Sequence, residues 1–157
     1  MTTVSESVIT WIYSYTGIGA TDKVETDQLA AEAVSLGLLK APGTNVQTFV
    51  DGSRDVTAYY IFRARRAAQE DDMRVDNQEF LDGLEQWVRA QNLSRNLPSL
   101  TNGRACHSIN VDEASYLLEV TATGESIYQL GIELSYSEPK TLTPDEEPEE
   151  DPDAEPE

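Results

Sequence analysis

The chain is predicted to fold as an α+β domain, with two principal helices packed on a mainly antiparallel sheet. Three observations predict it. Residues 56–66 (Val-Thr-Ala-Tyr-Tyr-Ile-Phe-Arg-Ala-Arg-Arg) are rich in the aromatic and β-branched side chains that suit a pleated surface. Residues 126–136 alternate strictly, with Tyr128, Leu130, Ile132, Leu134 and Tyr136 facing one way and Gln129, Glu133 and Ser135 the other. Two further segments repeat apolar residues at helical spacing. Helices and strands in this order give helices layered on a sheet, not alternating βαβ units. The body is expected to span residues 1–137, and residues 138–157 to form a disordered acidic extension.

Residues 3–15 form the first predicted helix. Thr3 and Glu6 fit a capping box, and Val4, Val8, Trp11, Ile12 and Tyr15 make one stripe. Thr16-Gly17-Ile18-Gly19 ends it. Residues 27–33 suit a short helix and residues 34–39 a strand, and Ala41-Pro42-Gly43 is expected to break the chain. A hairpin follows around Asp51-Gly52, where Gly accepts positive φ. A strict two-residue loop would set Val46 against polar residues. A longer turn over residues 51–55 aligns the Val46 side with Val56, Ala58, Tyr60 and Phe62. Tyr59 and Ile61 on the other face of that strand suggest that it is central and covered on both sides.

Residues 67–74 are charged and read as a connection. A second helix is predicted from Asp76, capped by Asp76 with Glu79, and able to lie across the hairpin. Its stripe is Phe80, Leu84, Trp87 and Val88. Gly83 inside it costs about 1 kcal/mol against Ala and suggests close packing on the sheet. A polar loop leads to three strands, 104–112, 116–121 and 126–136, expected as a meander.

The charge is uneven. Residues 138–157 hold ten of the 29 acids, one of the 11 bases and five of the seven prolines. The body keeps 10 bases and 19 acids, so each part carries about −9. The extension has too few apolar residues to offset the entropy of ordering. It is read as a solubilising tail or as a docking segment. An acidic body repels phosphates, which excludes wrapping duplex nucleic acid but suits a surface that a polyanion must slide past. No apolar run approaches the roughly 18 residues of a membrane span, and no signal-like N-terminus is present, so a soluble cytoplasmic product is expected.

Chemistry-bearing patterns are sparse. Cys106 and His107 are the only residues of their kinds, which rules out an internal disulfide and a Cys/His metal site. Adjacent strand positions point to opposite faces, so these two cannot form a catalytic dyad; Cys106 is expected in packing and His107 at the surface. Gly17-Ile18-Gly19 is too short for a dinucleotide loop, and no phosphate-binding or nucleophile-elbow motif is present. The expectation is a non-enzyme with no cofactor. The sharpest local feature is Arg63, Arg65 and Arg66 at the end of the long strand, followed by Glu70, Asp71 and Asp72. Arg63 and Arg65 share a face. These six residues are either a local ion-pair cluster or candidate subunit contacts. The tyrosines are expected to pack in the core and sheet.

The order of pieces resembles a known group. Phe49-Val50-Asp51-Gly52-Ser53, an aromatic strand, and a helix carrying Phe80-Leu81 and Leu84-Glu85-Gln86-Trp87-Val88 are similar to small proteins encoded by tailed phages and prophages. The match continues through Gln91-Asn92, Leu97-Pro98, a strand over residues 105–111, Tyr116-Leu117 and a last strand ending in aromatics. Those proteins are commonly labelled minor capsid proteins, with a fold like the tail terminators of long-tailed phages. The resemblance covers residues 49–136 and, less closely, the first helix; it departs at residues 22–39 and in the acidic extension. It implies a ring, commonly of about six copies, that caps the tail tube, stops addition of tube protein, and presents a joining surface to the head connector. DNA would pass through its lumen without specific binding. A head-completion protein and a monomeric acidic adaptor for a basic partner are the alternative expectations.

Overall fold

The computed structural model describes residues 2–18, 24–26, 35–67 and 71–144. The expected helix over 27–33, Glu70, and the acidic extension beyond Pro144 lie outside those residues. The architecture is α+β. Helices α1 (Val4–Ile12) and α2 (Asp71–Leu93) pack on one face of a five-stranded sheet in the order β1-β2-β3-β5-β4. The strands are β1 (Val24–Thr26), β2 (Ser35–Thr48), β3 (Arg54–Ala67), β4 (Ala105–Val120) and β5 (Glu125–Glu138). β1 runs parallel to β2; every other pairing is antiparallel.

The expected capping box starts α1: Glu6 N donates to Thr3 Oγ1 at 3.1 Å, and Thr3 N to Glu6 Oε2 at 2.7 Å. Val4, Val8, Trp11 and Ile12 are buried as the stripe requires. The helix stops at Ile12, three residues early, yet Tyr15 still packs, its ring 5.8 Å from Phe80 and its hydroxyl donating to Phe80 O at 3.0 Å.

Between β2 and β3 the turn is longer than two residues, as expected, but it spends residues 49–53, two earlier than 51–55. Asp51 Oδ1 accepts from Ser53 N at 2.9 Å and Ser53 Oγ at 2.6 Å, and Gly52 takes φ 91°. Val46 faces Val56, the apolar pairing that the longer turn was expected to give. Ala41-Pro42-Gly43 does not break the chain. It forms a bulge inside β2, where Ala41 faces Tyr59 and Asn45 faces Thr57. Proline lacks an N–H and Gly43 takes φ 100°, so both suit an irregularity on a strand that has no partner beyond it there among the described residues.

β3 is central, as its composition implied. Its even-numbered residues Val56 to Ala64 are buried and its odd-numbered ones half-exposed. The segment after Asn102 forms two strands, not three, because the polar stretch near Glu113 is a bulged part of β4 and not a turn. Nor is it a simple meander: β5 folds back between β4 and β3.

α2 begins at Asp71, five residues before the expected cap at Asp76. Arg74 is a good helix former, so the charge of this stretch does not oppose a helix. It lies mainly against β4, not across the hairpin. Asn92 fastens it there, its Oδ1 accepting from Ile109 N at 3.2 Å. Phe80, Leu81, Leu84 and Val88 are buried, and Trp87 packs on Trp11 with ring centroids 4.5 Å apart.

Residues 138–144, which composition assigned to the extension, are held against the body. Glu138 pairs with Arg54. Asn102 Nδ2 donates to Thr143 O at 2.6 Å, and Thr143 N to Asn102 O at 3.0 Å.

Gly83 approaches Tyr15 and not the sheet: a Cβ added there would sit 2.5 Å from the Tyr15 hydroxyl but 3.7 Å from its Cζ. In the otherwise native chain, Gly83→Ala is expected to gain no stability, because the hydroxyl must leave Phe80 O. In a Tyr15→Phe background the same change should stabilise by about 1 kcal/mol. Urea denaturation of the four chains of this double-mutant cycle measures the difference.

Candidate functional site

Strand order leaves β4 as one edge of the sheet. Its first half is anchored: Ile109 is fully buried, and Cys106 and Val111 pack on the core. Its second half is not. Tyr116 is 39% exposed, Leu117 50%, Leu118 40% and Val120 61%. Four large apolar side chains are thus exposed within five residues of a strand that has one neighbour among the described residues. Leu117 and Val120 stand opposite Tyr128 and Ser126 on the helix side, and Tyr116 stands opposite Gln129 on the other face. The edge is apolar on both faces, a feature that marks contact surfaces. The register of β4 against β5 shifts between Cys106 and Ser108, Val111 and Glu113, Glu113 and Tyr116, and Leu117 and Glu119. Such bulges break up the free row of backbone groups, so this edge offers side chains more than a ladder for another strand.

Sequence reasoning missed this surface, although a signal was present. Tyr116-Leu117-Leu118-Glu119-Val120 has apolar residues at consecutive positions, so an extended strand must turn some of them away from the core.

The structure separates the arginines of the predicted cluster. Arg66 projects to the helix side: Nε donates to Asn77 Oδ1 at 3.3 Å, and the guanidinium stacks 4.5 Å from the Phe80 ring centroid. Arg63 and Arg65 share the opposite face, as expected. Arg63 Nε donates to Gln129 Oε1 at 2.9 Å, and Gln129 Nε2 donates to Tyr116 Oη at 2.9 Å. This polar ladder crosses β3, β5 and β4 and ends at the exposed edge patch. Arg65 Nε is buried without a hydrogen-bond partner among the described residues. Its charge contributes to holding the Glu125 carboxyl below the usual range, after the larger effect of hydrogen bonds from Thr121 and Thr123. Asp71 and Asp72 open α2, and Glu70 lies outside the described residues. Arg63 and Arg66 are therefore engaged within the chain.

The hairpin tip is a second apolar feature. Phe49 and Val46 are partly exposed and Val50 fully so. Among the tyrosines, Tyr60, Tyr128 and Tyr136 are buried as expected, whereas Tyr116 stands at the edge. His107 is exposed, and its carbonyl accepts from Arg95 Nη1 at 2.9 Å. Cys106 is half-buried, with its thiol 3.7 Å from Ser108 O. No cluster of three or more potential metal ligands occurs among the described residues, and no helix among them is long and apolar enough to cross a membrane.

The chain matches no protein-family model and no curated protein sequence.

Burial raises the Cys106 thiol from its ordinary 9 to about 11, with Ser108 and Arg95 opposing the shift. The folded chain therefore keeps its proton where the unfolded chain loses it. Stability from this group is complete below pH 9 and is lost as pH rises to about 11, a slope that Cys106→Ala should remove from a urea-denaturation pH series. At about pH 9, alkylation of the folded chain should be at least roughly tenfold slower than after unfolding, read by mass spectrometry.

Proposed function

We propose that this protein is a structural component of a phage tail, a tail terminator whose copies form a closed ring on the finished tail tube. The observation that carries the reading is the exposed apolar edge at Tyr116, Leu117, Leu118 and Val120. Apolar side chains exposed at a sheet edge are costly to leave in water, and packing them against a different surface of the next copy is a heterologous contact, which forms a ring when its rotation closes. The finer fold, tail-terminator-like, and the count of about six copies rest on the family resemblance.

Charge supports the same reading. Strand alternation sets Asp55, Glu113, Glu119, Glu125 and Glu133 on the face of the sheet opposite the helices, against Arg63 and Arg65. A lumen walled by that face would let DNA pass without adhering. The ring's two ends would meet the tube protein and the head connector. Arg65 with Asp71 or Asp72 of a neighbouring copy is a further contact within this reading.

The ring should appear in mass photometry, with or without tube protein, at about six times the 17.4 kDa chain mass. Leu117→Glu with Leu118→Glu should abolish it while changing monomer stability by no more than about 0.5 kcal/mol each, since both sites are exposed. Micrographs of phage lacking the gene should show overlong tubes. Tails of normal length without it, or a chain that stays single in the presence of tube protein, would overturn the proposal.

A further inference from the structure

The register of the sheet sets two exposed apolar features at opposite corners of it. One is the tip of the β2–β3 hairpin, where Val50 is fully exposed and Phe49 is 42% exposed. The other is the second half of β4. The tip lies at the Arg54–Glu138 end of the central pair, whereas Val120 faces Ser126 near the Ala67–Glu125 end. From the level of Arg54 to that of Ala64, which Tyr128 joins to Leu117, is on the order of 30 Å of strand. β5 also stands between β3 and β4. The unbroken β3–β5 ladder holds the two features apart, so neither can cover the other within one chain.

The tip is an ordered turn. Phe49 N donates to Ser53 O at 2.8 Å, and Gly52 N donates to Phe49 O at 3.0 Å. A fixed turn that presents valine to water adds nothing to the chain's own core, and its order is already in place for a contact. On β4, Leu118 is the residue that the bulge between Leu117 and Glu119 inserts, and no residue of β5 faces it. The two features differ in charge. Lys140 lies against the tip, where a Cβ added to Gly52 would stand 3.1 Å from Lys140 Cβ. The tip's own acid, Asp51, is turned back onto Ser53. Glu119 is exposed among the apolar residues of the β4 edge. Edge against edge would bring two Glu119 carboxylates to one interface, and tip against tip two Lys140 amines. Tip against edge brings opposite charges together.

We infer that the hairpin tip of one copy, Phe49 and Val50, seats on Leu117, Leu118 and Val120 at the β4 edge of the next copy, with Lys140 reaching Glu119. The inference rests on the ring reading in taking the edge as a contact between copies, and it names the surface that meets that edge. Because tip and edge lie at opposite corners, each copy gives one contact and receives one, as a head-to-tail ring requires. The apolar side chains supply the adhesion, and the exposed ion pair selects the pairing of unlike surfaces.

Cross-linking tests it on the full chain, in a Cys106→Ala background that removes the one native thiol. Val50→Cys and Leu118→Cys chains are co-expressed in equal amounts and treated with a short bismaleimide. Random encounter links position 50 to position 118 about twofold more often than it links either position to itself. Tip-on-edge contact should raise that ratio to at least about tenfold, counted from linked peptides by mass spectrometry. Lys140→Glu in the Val50→Cys chain should lower the excess about twofold, and Glu119→Lys in the Leu118→Cys chain should restore it. Val50→Glu alone, with a thermal melt as the fold control, should abolish the ring in mass photometry. A ring that persists in Val50→Glu, or like positions linked as often as unlike ones, would overturn the inference and leave the ring reading standing. A native chain that stays single beside tube protein, with no excess of unlike linkage, would overturn both.

Discussion

Along their whole length of 14 residues, β3 and β5 pair without a single irregularity, from Arg54 opposite Glu138 to Ala67 opposite Glu125. That register sets Val56 beside Tyr136, Ala58 beside Leu134, Tyr60 beside Ile132, Phe62 beside Leu130 and Ala64 beside Tyr128 on the helix side. Direct cross-strand neighbours of this kind are the unit from which a sheet is stabilised. A slip of β5 by one residue would turn its apolar set away from the helices and bring Gln129, Glu133 and Ser135 under them. The helices, β2 and β4 are all placed by reference to this ladder.

Irregularity is displaced to the outer strands. β2 bulges at Pro42 and Gly43, and β4 does so at several points. The centre tolerates little: a Cβ on Gly131 would stand 2.8 Å from Glu113 Cβ and 3.1 Å from Glu113 N. β4 runs that close to β5 there, and then carries its apolar second half out to the edge. A rigid middle and an uneven, partly apolar rim suit a molecule that works by contact.

How much of this was legible depends on the range of the interaction. Local rules read well: the Thr3–Glu6 box, the α2 stripe, the alternation of β5, and the split of Arg63 and Arg65 from a neighbour of opposite parity are all set within a few residues. The start of α2 is hidden because charge at residues 71–74 imitates a loop, although their helix propensity is good. β4 was divided at Glu113-Ala114-Ser115 because polar residues imitate a turn, and only pairing with β5 shows the strand to be continuous. The insertion of β5 between β3 and β4, and hence the identity of the edge, has no local signature. The exposed apolar edge depends on that order, so its place has no local signature although its residues are in plain view.

The two tryptophans of the chain, Trp11 on α1 and Trp87 on α2, are tilted at 44° with Tyr15 alongside, and the Trp11 indole N–H is fixed to Asn96 O at 2.8 Å. Two indoles this close, in an asymmetric and fixed arrangement, couple their electronic transitions, and the chain holds no other indole to blur the signal. The protein thus carries a built-in optical gauge of whether its first helix is seated on its second, readable by near-ultraviolet circular dichroism without any added label.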